Sequence, residues 1–310
     1  MKNNIEISII IPTYFHEQFI ENAIKSVLDQ IVDYKYEILV SDDASTDHTI
    51  EIVERYRNMY PDIISIHTYD TNVGTTQNLY DAFLRCNGRY ITLLAGDDFY
   101  CNKYKLIEQK NYLDNNMDCF AVGITTKSVY MDGEDVGLFS PSPENRGKDF
   151  SRDDFSKGAN YPIHGIMFRN YFDDIEVRER FHLCVEFSKY IEDLTLCLLF
   201  FEFGKVHILP LVAYAITIRR PTDSDQHNFN TIYKGRESAI MHVDLMVKLK
   251  RYFGRKVNLV NRLSNPSFEI IIYAIKERKL ADLKHLKGVN ILSIIKGAFT
   301  WIIKKIKGEF

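Results

Sequence analysis

The first hundred residues alternate between short apolar, β-branched runs and longer stretches whose apolar residues recur every three or four positions. Ile5 to Ile11, Tyr36 to Val40, Ile63 to His67 and Tyr90 to Ala95 read as buried strands. Between them, Phe19, Ile20, Ala23, Ile24, Val27 and Leu28, then Ile50, Val53 and Tyr60, then Leu79, Phe83 and Leu84, mark helices. Strand and helix in alternation, with short connections, mean right-handed βαβ units. The predicted class is α/β: a Rossmann-like, mainly parallel sheet with helices on both faces. Strands that are apolar throughout suit a sheet covered on both sides.

Each strand runs into polar residues: Pro12-Thr13-Tyr14, Asp42-Asp43, Asn72 to Gly74, and Gly96-Asp97-Asp98. In a parallel sheet all four clusters share the carboxyl edge, where open α/β sheets bind ligands. Asp97 and Asp98 side by side repel each other. They either make a turn or are relieved by a divalent metal or a ribose. Carboxylates, hydroxyls and an aromatic ring along one edge suit a nucleotide. No G-x-x-x-x-G-K-[ST] occurs, and no G-x-G-x-x-G follows the first strand. A metal held by Asp97 and Asp98 would then be the means of neutralising phosphates.

Five stretches occur in order: Ile9 to Tyr14, Ser26 to Gln30, Glu37 to Asp47, Asn72-Val73-Gly74, and Gly88 to Ile91 leading into Gly96-Asp97-Asp98. In this order and spacing they resemble the family 2 glycosyltransferases of the GT-A fold, over roughly residues 5 to 220. The resemblance implies that Pro12, Thr13 and Tyr14 frame the base and ribose. It implies that Asp43 accepts a hydrogen bond from the base, that Asp97 contacts ribose or metal, and that Asp98 ligates Mn²⁺ or Mg²⁺ on the diphosphate. Two departures stand out. Many members carry Asp where this chain has Ala95, and Arg where it has Gln77.

Further along, Asn102 to Asn115 reads as a helix and Cys119 to Val122 as the start of a strand, while Ser140 to Asn160 reads as one long loop. Tyr161 to Arg169 resembles the family's strand under the sugar and acceptor, with His164 as a possible acceptor contact. Glu192 and Asp193 open an apolar helix, and an acidic pair there caps the helix and meets its dipole. The pair also resembles the family's Glu-Asp motif. That implies Asp193 is the general base of an inverting sugar transfer, with Glu192 beside the acceptor. After the strand Tyr214 to Ile218, Arg219, Arg220 and His227 are candidate diphosphate contacts, or else part of a solvated turn.

From Asn230 the pattern is helical, with one helix through Met241, Leu245, Leu249 and Phe253, and another predicted over Phe268 to Leu286. The last helix, about residues 289–307, is the clearest amphipath. Asn290, Ser293, Gly297, Thr300, Lys304 and Lys307 form a narrow polar stripe, and Ile, Leu, Phe and Trp cover the rest. From Lys276 to Phe310 there are nine Lys/Arg against three Asp/Glu. A wide apolar face with lysines at its rim suits an anionic membrane surface, and packing on the protein or on a second subunit is the competing expectation.

The net charge of −3 gives no reason to expect nucleic acid. Five widely spaced cysteines without a C-x-x-C pair offer neither a zinc ribbon nor a redox motif, and they fit a reducing cytoplasm. The organisation expected is a GT-A domain over 1–228 and a helical region over 229–310. The activity expected is inverting transfer of a sugar from a nucleotide sugar, most readily UDP-linked, to a glycan or lipid-linked acceptor in surface-polysaccharide synthesis. The site of action would be the inner face of the plasma membrane. A sugar nucleotidylyltransferase would need a glycine-rich basic loop after the first strand, which Pro12 to His16 lacks. A catalytically silent nucleotide-sugar-binding or scaffold protein would be consistent with Ala95, but not with an intact Asp98 and Asp193.

Overall fold

A computed structural model describes residues 5–141, 143–157, 163–191, 193–220 and 235–307. The chain divides into two compact units: Met1–Ser151 with Asn160–Ser224, and Arg152–Ala159 with Asp225–Phe310. The division expected at residue 228 therefore falls close to the second break, but the helical unit also claims a short piece from the middle of the chain.

The first unit is built on one sheet. Its first four strands are β1 (Ile5–Thr13), β2 (Lys35–Asp42), β3 (Ile64–Thr68) and β4 (Tyr90–Leu93), with helices α1 (Ile20–Leu28), α2 (Thr49–Met59) and α3 (Thr75–Arg85) between them. They lie in the order β3-β2-β1-β4, all parallel. β1 is central because it is apolar throughout: Ile7, Ile9, Ile10 and Ile11 are fully buried, covered on one face by Ala23, Ile24 and Val27 of α1. Gly88 is required just before β4, since a Cβ there would lie 2.4 Å from the Ser8 backbone nitrogen.

Beyond β4 the sheet is mixed. β5 (Phe99–Tyr100), helix α4 (Lys105–Asn115), β6 (Cys119–Tyr130), β7 (Asp135–Ser140), β8 (Lys148–Phe150), helix α5 (Arg152–Lys157), β9 (Met167–Arg169), helices α6 (Ile175–Phe187) and α7 (Asp193–Phe203), and β10 (Lys205–Ile218) follow. The order continues β4-β9-β6-β10-β5, with β7 beside β6 and β8 beside β10. β9 is antiparallel to both neighbours, whereas β6 and β10 are parallel to each other.

Several expectations need correction. The strand begun at Cys119 continues to Tyr130 and turns into the β7 hairpin. The stretch Ser140 to Asn160 is not one loop. It contains the 3₁₀ turn Pro143–Asn145, β8 and α5, because Lys148 to Phe150 finds a partner strand in β10 that local composition does not reveal. The strand expected from Tyr214 begins nine residues earlier, at Lys205.

The second unit holds α8 (Arg236–Phe253), α9 (Val260–Lys276), the 3₁₀ stretch Leu280–Leu286 and α10 (Ile291–Lys307), together with α5. The helix expected over Phe268 to Leu286 instead starts at Val260 and ends at Lys276, with Pro266 inside it. No single helix among the described residues is long and apolar enough to cross a membrane.

Candidate functional site

Parallel register brings the strand ends together. Thr13 pairs with Asp42, and backbone hydrogen bonds continue past the strands: Asp43 N–H to Thr13 O at 2.9 Å and Gly96 N–H to Pro12 O at 3.1 Å. Pro12, Thr13, Tyr14, Asp42, Asp43, Asp97 and Asp98 thus share the carboxyl edge of β1, β2 and β4. The loops are cross-braced. Ser45 Oγ accepts the Phe15 N–H at 2.9 Å, and Thr49 Oγ1 accepts the His16 N–H at 2.9 Å. The bracing holds Phe15 at φ 58°, a conformation that side chains rarely adopt.

The two aspartates after β2 have separate tasks. Asp42 accepts the Ser45 N–H at 2.8 Å, closing its own turn. Asp43 accepts the N–H groups of Val73 at 2.6 Å and Gly74 at 3.0 Å, which fixes the Asn72 to Gly74 loop against the β2 end. Burial raises the carboxyl pKa of Asp43, while the two N–H groups and the Lys189 charge pull it down. Each carboxylate oxygen keeps acceptor capacity for a base N–H. Lys189 reaches this corner with its Nζ 3.4 Å from Asn72 O, and a Cβ at Gly74 would collide with its side chain at 2.4 Å. Thr76 Oγ1 donates to Ser188 O at 2.6 Å, so the segment leading to Asp193 is tied to the start of α3.

Asp97 and Asp98 part company. β5 pairs antiparallel with β10, Phe99 opposite Ala215, which carries the preceding residue, Asp98, toward Ile216 and within reach of the Thr217 N–H. Asp98 is 5% exposed; it accepts the Tyr214 hydroxyl at 2.8 Å and the Thr217 N–H at 2.8 Å, one on each oxygen. Tyr214 Oη in turn accepts the Ala95 N–H at 3.1 Å. Burial, then the neighbouring Asp97 charge, pushes the Asp98 carboxyl well above the usual carboxylate range. With one protein donor on each oxygen, Asp98 is held in place by Tyr214 and Thr217, and each oxygen keeps a second lone pair. Asp97 is the open member of the pair, its side chain 26% exposed and its Oδ2 3.9 Å from His16 Nε2.

Around Asp97 the edge contains unsatisfied polar atoms. His16 Nδ1 and Thr13 Oγ1 are buried without a hydrogen-bond partner, and both crowd Gly96, where a Cβ would lie 2.6 and 2.9 Å away. Only glycine lets the β1 end and the Asp97 turn approach so closely. No group of three or more His, Cys, Asp or Glu side chains among the described residues forms a ready cation cage. A single accessible carboxylate nonetheless fits a hard divalent ion that takes its other ligands from substrate phosphates and water.

His164 links this edge to the far side. It precedes Gly165, whose φ of 67° makes the turn into β9, and its ring lies 5.6 Å from that of Tyr214. Burial lowers its pKa, and the charges of Asp193 and Asp97 oppose that shift. Asp193 and Asp97 therefore both lie within electrostatic reach of one imidazole. Asp193 is the first residue of α7 and is exposed; its Oδ1 accepts the Leu194 N–H at 2.7 Å. Among the described residues no Lys or Arg forms an ion pair with it.

The other candidates separate. Arg219 stacks its guanidinium over Phe19 at 5.2 Å, and Phe19 lies 6.5 Å edge-on from His16, so this cation borders the site. Arg220 turns to the β6–β7 hairpin, pairing with Asp132 at 2.8 Å and Glu134 at 2.5 Å over the Tyr130 ring, and so does not join the carboxylate edge. Glu192 and His227 lie outside the described residues. The sequence reading missed Tyr214, Thr217, His16 and Lys189. His16 and Lys189 each stand close in the chain to a residue that was singled out, Tyr14 and Asp193, and proximity was the available signal. Tyr214 and Thr217 gave none, since their role depends on the pairing of β5 with β10.

The family model for glycosyl transferase family 2 matches residues 8–175. The chain belongs to glycosyltransferase family 2. As a member it is similar to the poly(ribitol-phosphate) beta-N-acetylglucosaminyltransferase TarS of Staphylococcus aureus, with 31% identity over 114 residues, covering 36% of this chain and 19% of that protein. It is similar to the abequosyltransferase RfbV of Salmonella typhimurium, with 32% identity over 115 residues, 37% of this chain and 34% of that protein. An uncharacterized protein of Mycobacterium tuberculosis is 29% identical over 170 residues, 54% of this chain and 49% of its own length. The alignments thus span half or less of these curated relatives. Among solved structures, residues 1–349 of S. aureus TarS with UDP-GlcNAc superpose with a TM-score of 0.65 at 18% identity, over 94% of this chain and 84% of that one. A mannosyltransferase of Pyrobaculum calidifontis with GDP-Man and Mn²⁺ gives 0.53 at 16% identity, over 98% and 81%. This family member has their fold, the GT-A fold expected from its motifs.

Proposed function

We propose that this protein transfers a sugar, with inversion, from a UDP-linked donor to a hydroxyl of a surface glycopolymer. The observation that carries the reading is the tie between the donor edge and the start of α7: Asp43 accepts the Val73 and Gly74 N–H groups, and Thr76 Oγ1 beside them donates to Ser188 O, five residues before Asp193. The strand-end carboxylates supply the donor side and Asp193, at the start of α7, the acceptor side.

Pro12, Thr13 and Tyr14 with Asp43 receive the base and ribose, and Arg219 lies where a diphosphate would extend toward His16. Asp97 takes over the metal role first assigned to Asp98. A divalent ion, Mn²⁺ or Mg²⁺, held by Asp97 and the diphosphate would supply positive charge to the leaving group. His164, kept neutral by burial, contacts the sugar. Asp193 uses Oδ1 to cap α7 and leaves Oδ2 for the acceptor. It removes the hydroxyl proton as the acceptor oxygen attacks the anomeric carbon and the bond to the diphosphate breaks. UDP as the carrier, and a polymer as acceptor, are supported by the UDP-GlcNAc complex of TarS and by its named activity on poly(ribitol phosphate).

The test is metal-dependent UDP release across a panel of UDP-sugars, with and without acceptor polymer. Asp193→Asn should lower transfer by about 10³-fold while UDP binding persists. Full transfer by that variant would remove Asp193 as the base. If no nucleotide sugar is bound or cleaved with Mn²⁺ or Mg²⁺ present, the enzyme reading itself fails.

A further inference from the structure

We propose that the outward face of α10 docks this protein on an anionic lipid bilayer. The reading goes beyond the donor chemistry and does not depend on it.

α10 has two unlike faces. One packs on α9: Ser293 is fully buried, a Cβ at Gly297 would lie 1.9 Å from Ser264 O, and Trp301 meets Phe268 at 6.0 Å. Small residues at these positions let the two helices approach closely. The narrow stripe that the sequence presents as polar is thus, at Ser293 and Gly297, the seat of the helix on the protein. The opposite face carries Ile291, Leu292, Ile295, Phe299, Ile302 and Ile303, each between 46% and 64% exposed. At about 100° per residue these six positions fall within one arc of about 120°. Scattered exposed apolar residues are ordinary, but a continuous stripe of this kind marks an interaction surface.

Charge decides the occupant. Ile291–Lys307 contains Lys296, Lys304, Lys305 and Lys307 and no acidic residue. By helical position Lys296 and Lys307 border the apolar arc, with the Lys296 ammonium donating to Asn261 Oδ1 of α9 at that rim. A second copy of the chain seated on this face would bring lysines against lysines with no counter-charge in the helix. A bilayer containing anionic lipid supplies both the apolar phase and the counter-charge. A helix with one face against α9 is placed to lie along such a surface, its outward side chains entering the boundary between headgroups and acyl chains.

The experiment is co-sedimentation of the full chain with vesicles of phosphatidylcholine alone, and with vesicles carrying about 30% phosphatidylglycerol. The protein should pellet with the anionic vesicles and be released by high salt. Phe299→Asp combined with Ile303→Asp should weaken partitioning by about tenfold or more, with the melting temperature unchanged because both side chains are exposed. Phe299→Leu with Ile303→Leu should retain binding. The proposal is overturned if the wild-type chain stays in the supernatant with anionic vesicles, or if the double Asp variant binds as the wild type does. It is equally overturned if, without lipid, the chain is a dimer that the double Asp variant converts to monomer, since the face then belongs to a second copy.

Discussion

Two regions pose the same problem and solve it in opposite ways. At the sheet edge, adjacent carboxylates Asp97 and Asp98 look equivalent in the sequence, yet one is open and the other is sealed under Tyr214 and Thr217. In α10, Ser293 and Gly297 look like a solvent face, yet they are the buried side, and the large apolar residues face outward. Periodicity and adjacency say which residues share a face. They do not say what that face meets, because the partner is another element: the distant β10 in the first case and the preceding helix α9 in the second.

The sharpest way to break this comparison is at Gly297. A side chain there meets the Ser264 backbone oxygen, which no rotamer change can move aside. Gly297→Leu should cost about 3 kcal/mol or more by forcing α9 and α10 apart. Ile295→Gln, on the outward face, should change stability by less than about 0.5 kcal/mol. Equal costs in urea melts would mean that the two faces of α10 are not distinct. The next effect is at the sheet edge. Asp98→Ala leaves the Tyr214 hydroxyl and the Thr217 N–H without their acceptor in a buried place, for a loss of about 2 kcal/mol. Asp97→Ala should leave stability within about 0.5 kcal/mol while abolishing the metal dependence of UDP-sugar turnover. The reverse ranking would return the metal role to Asp98.

Much of the fold was legible because three successive βαβ units admit few arrangements, and the parallel register of β1, β2 and β4 then places their polar ends together. The mixed half of the sheet was not legible to the same degree. β8 has three residues and β9 three, too short for a periodic signal, and they exist because β10, β4 and β6 offer partners. At the site, Asp43 and Asp97 stand out from local pattern because each follows a strand, whereas Asp193 reads locally as a helix cap and gains its site role only from the family resemblance. The sealing of Asp98 could not be read locally, since it requires that β5 run antiparallel to β10. Lys189 had only its closeness in the chain to Asp193 to mark it, because its contact with Asn72 spans more than a hundred residues.

The smallest expected effect tests whether the donor edge and the start of α7 belong to one site. Burial lowers the pKa of His164 from the ordinary value of 6.5, so the folded chain binds that proton less tightly than the unfolded chain. The stability this represents is therefore present above about pH 6.5 and is lost as the pH falls through the folded-state value. Urea midpoints of the wild type should decline over that range more steeply than those of His164→Gln, and the difference isolates this residue from the carboxylates that titrate nearby. Asp97 and Asp193 oppose the shift, so removing either charge should lower the His164 pKa further, as read from its ring proton resonances. Asp97→Asn and Asp193→Asn should each move it in the same direction. If only Asp97→Asn does, the imidazole belongs to the donor edge alone, and the base must be sought elsewhere than at the start of α7.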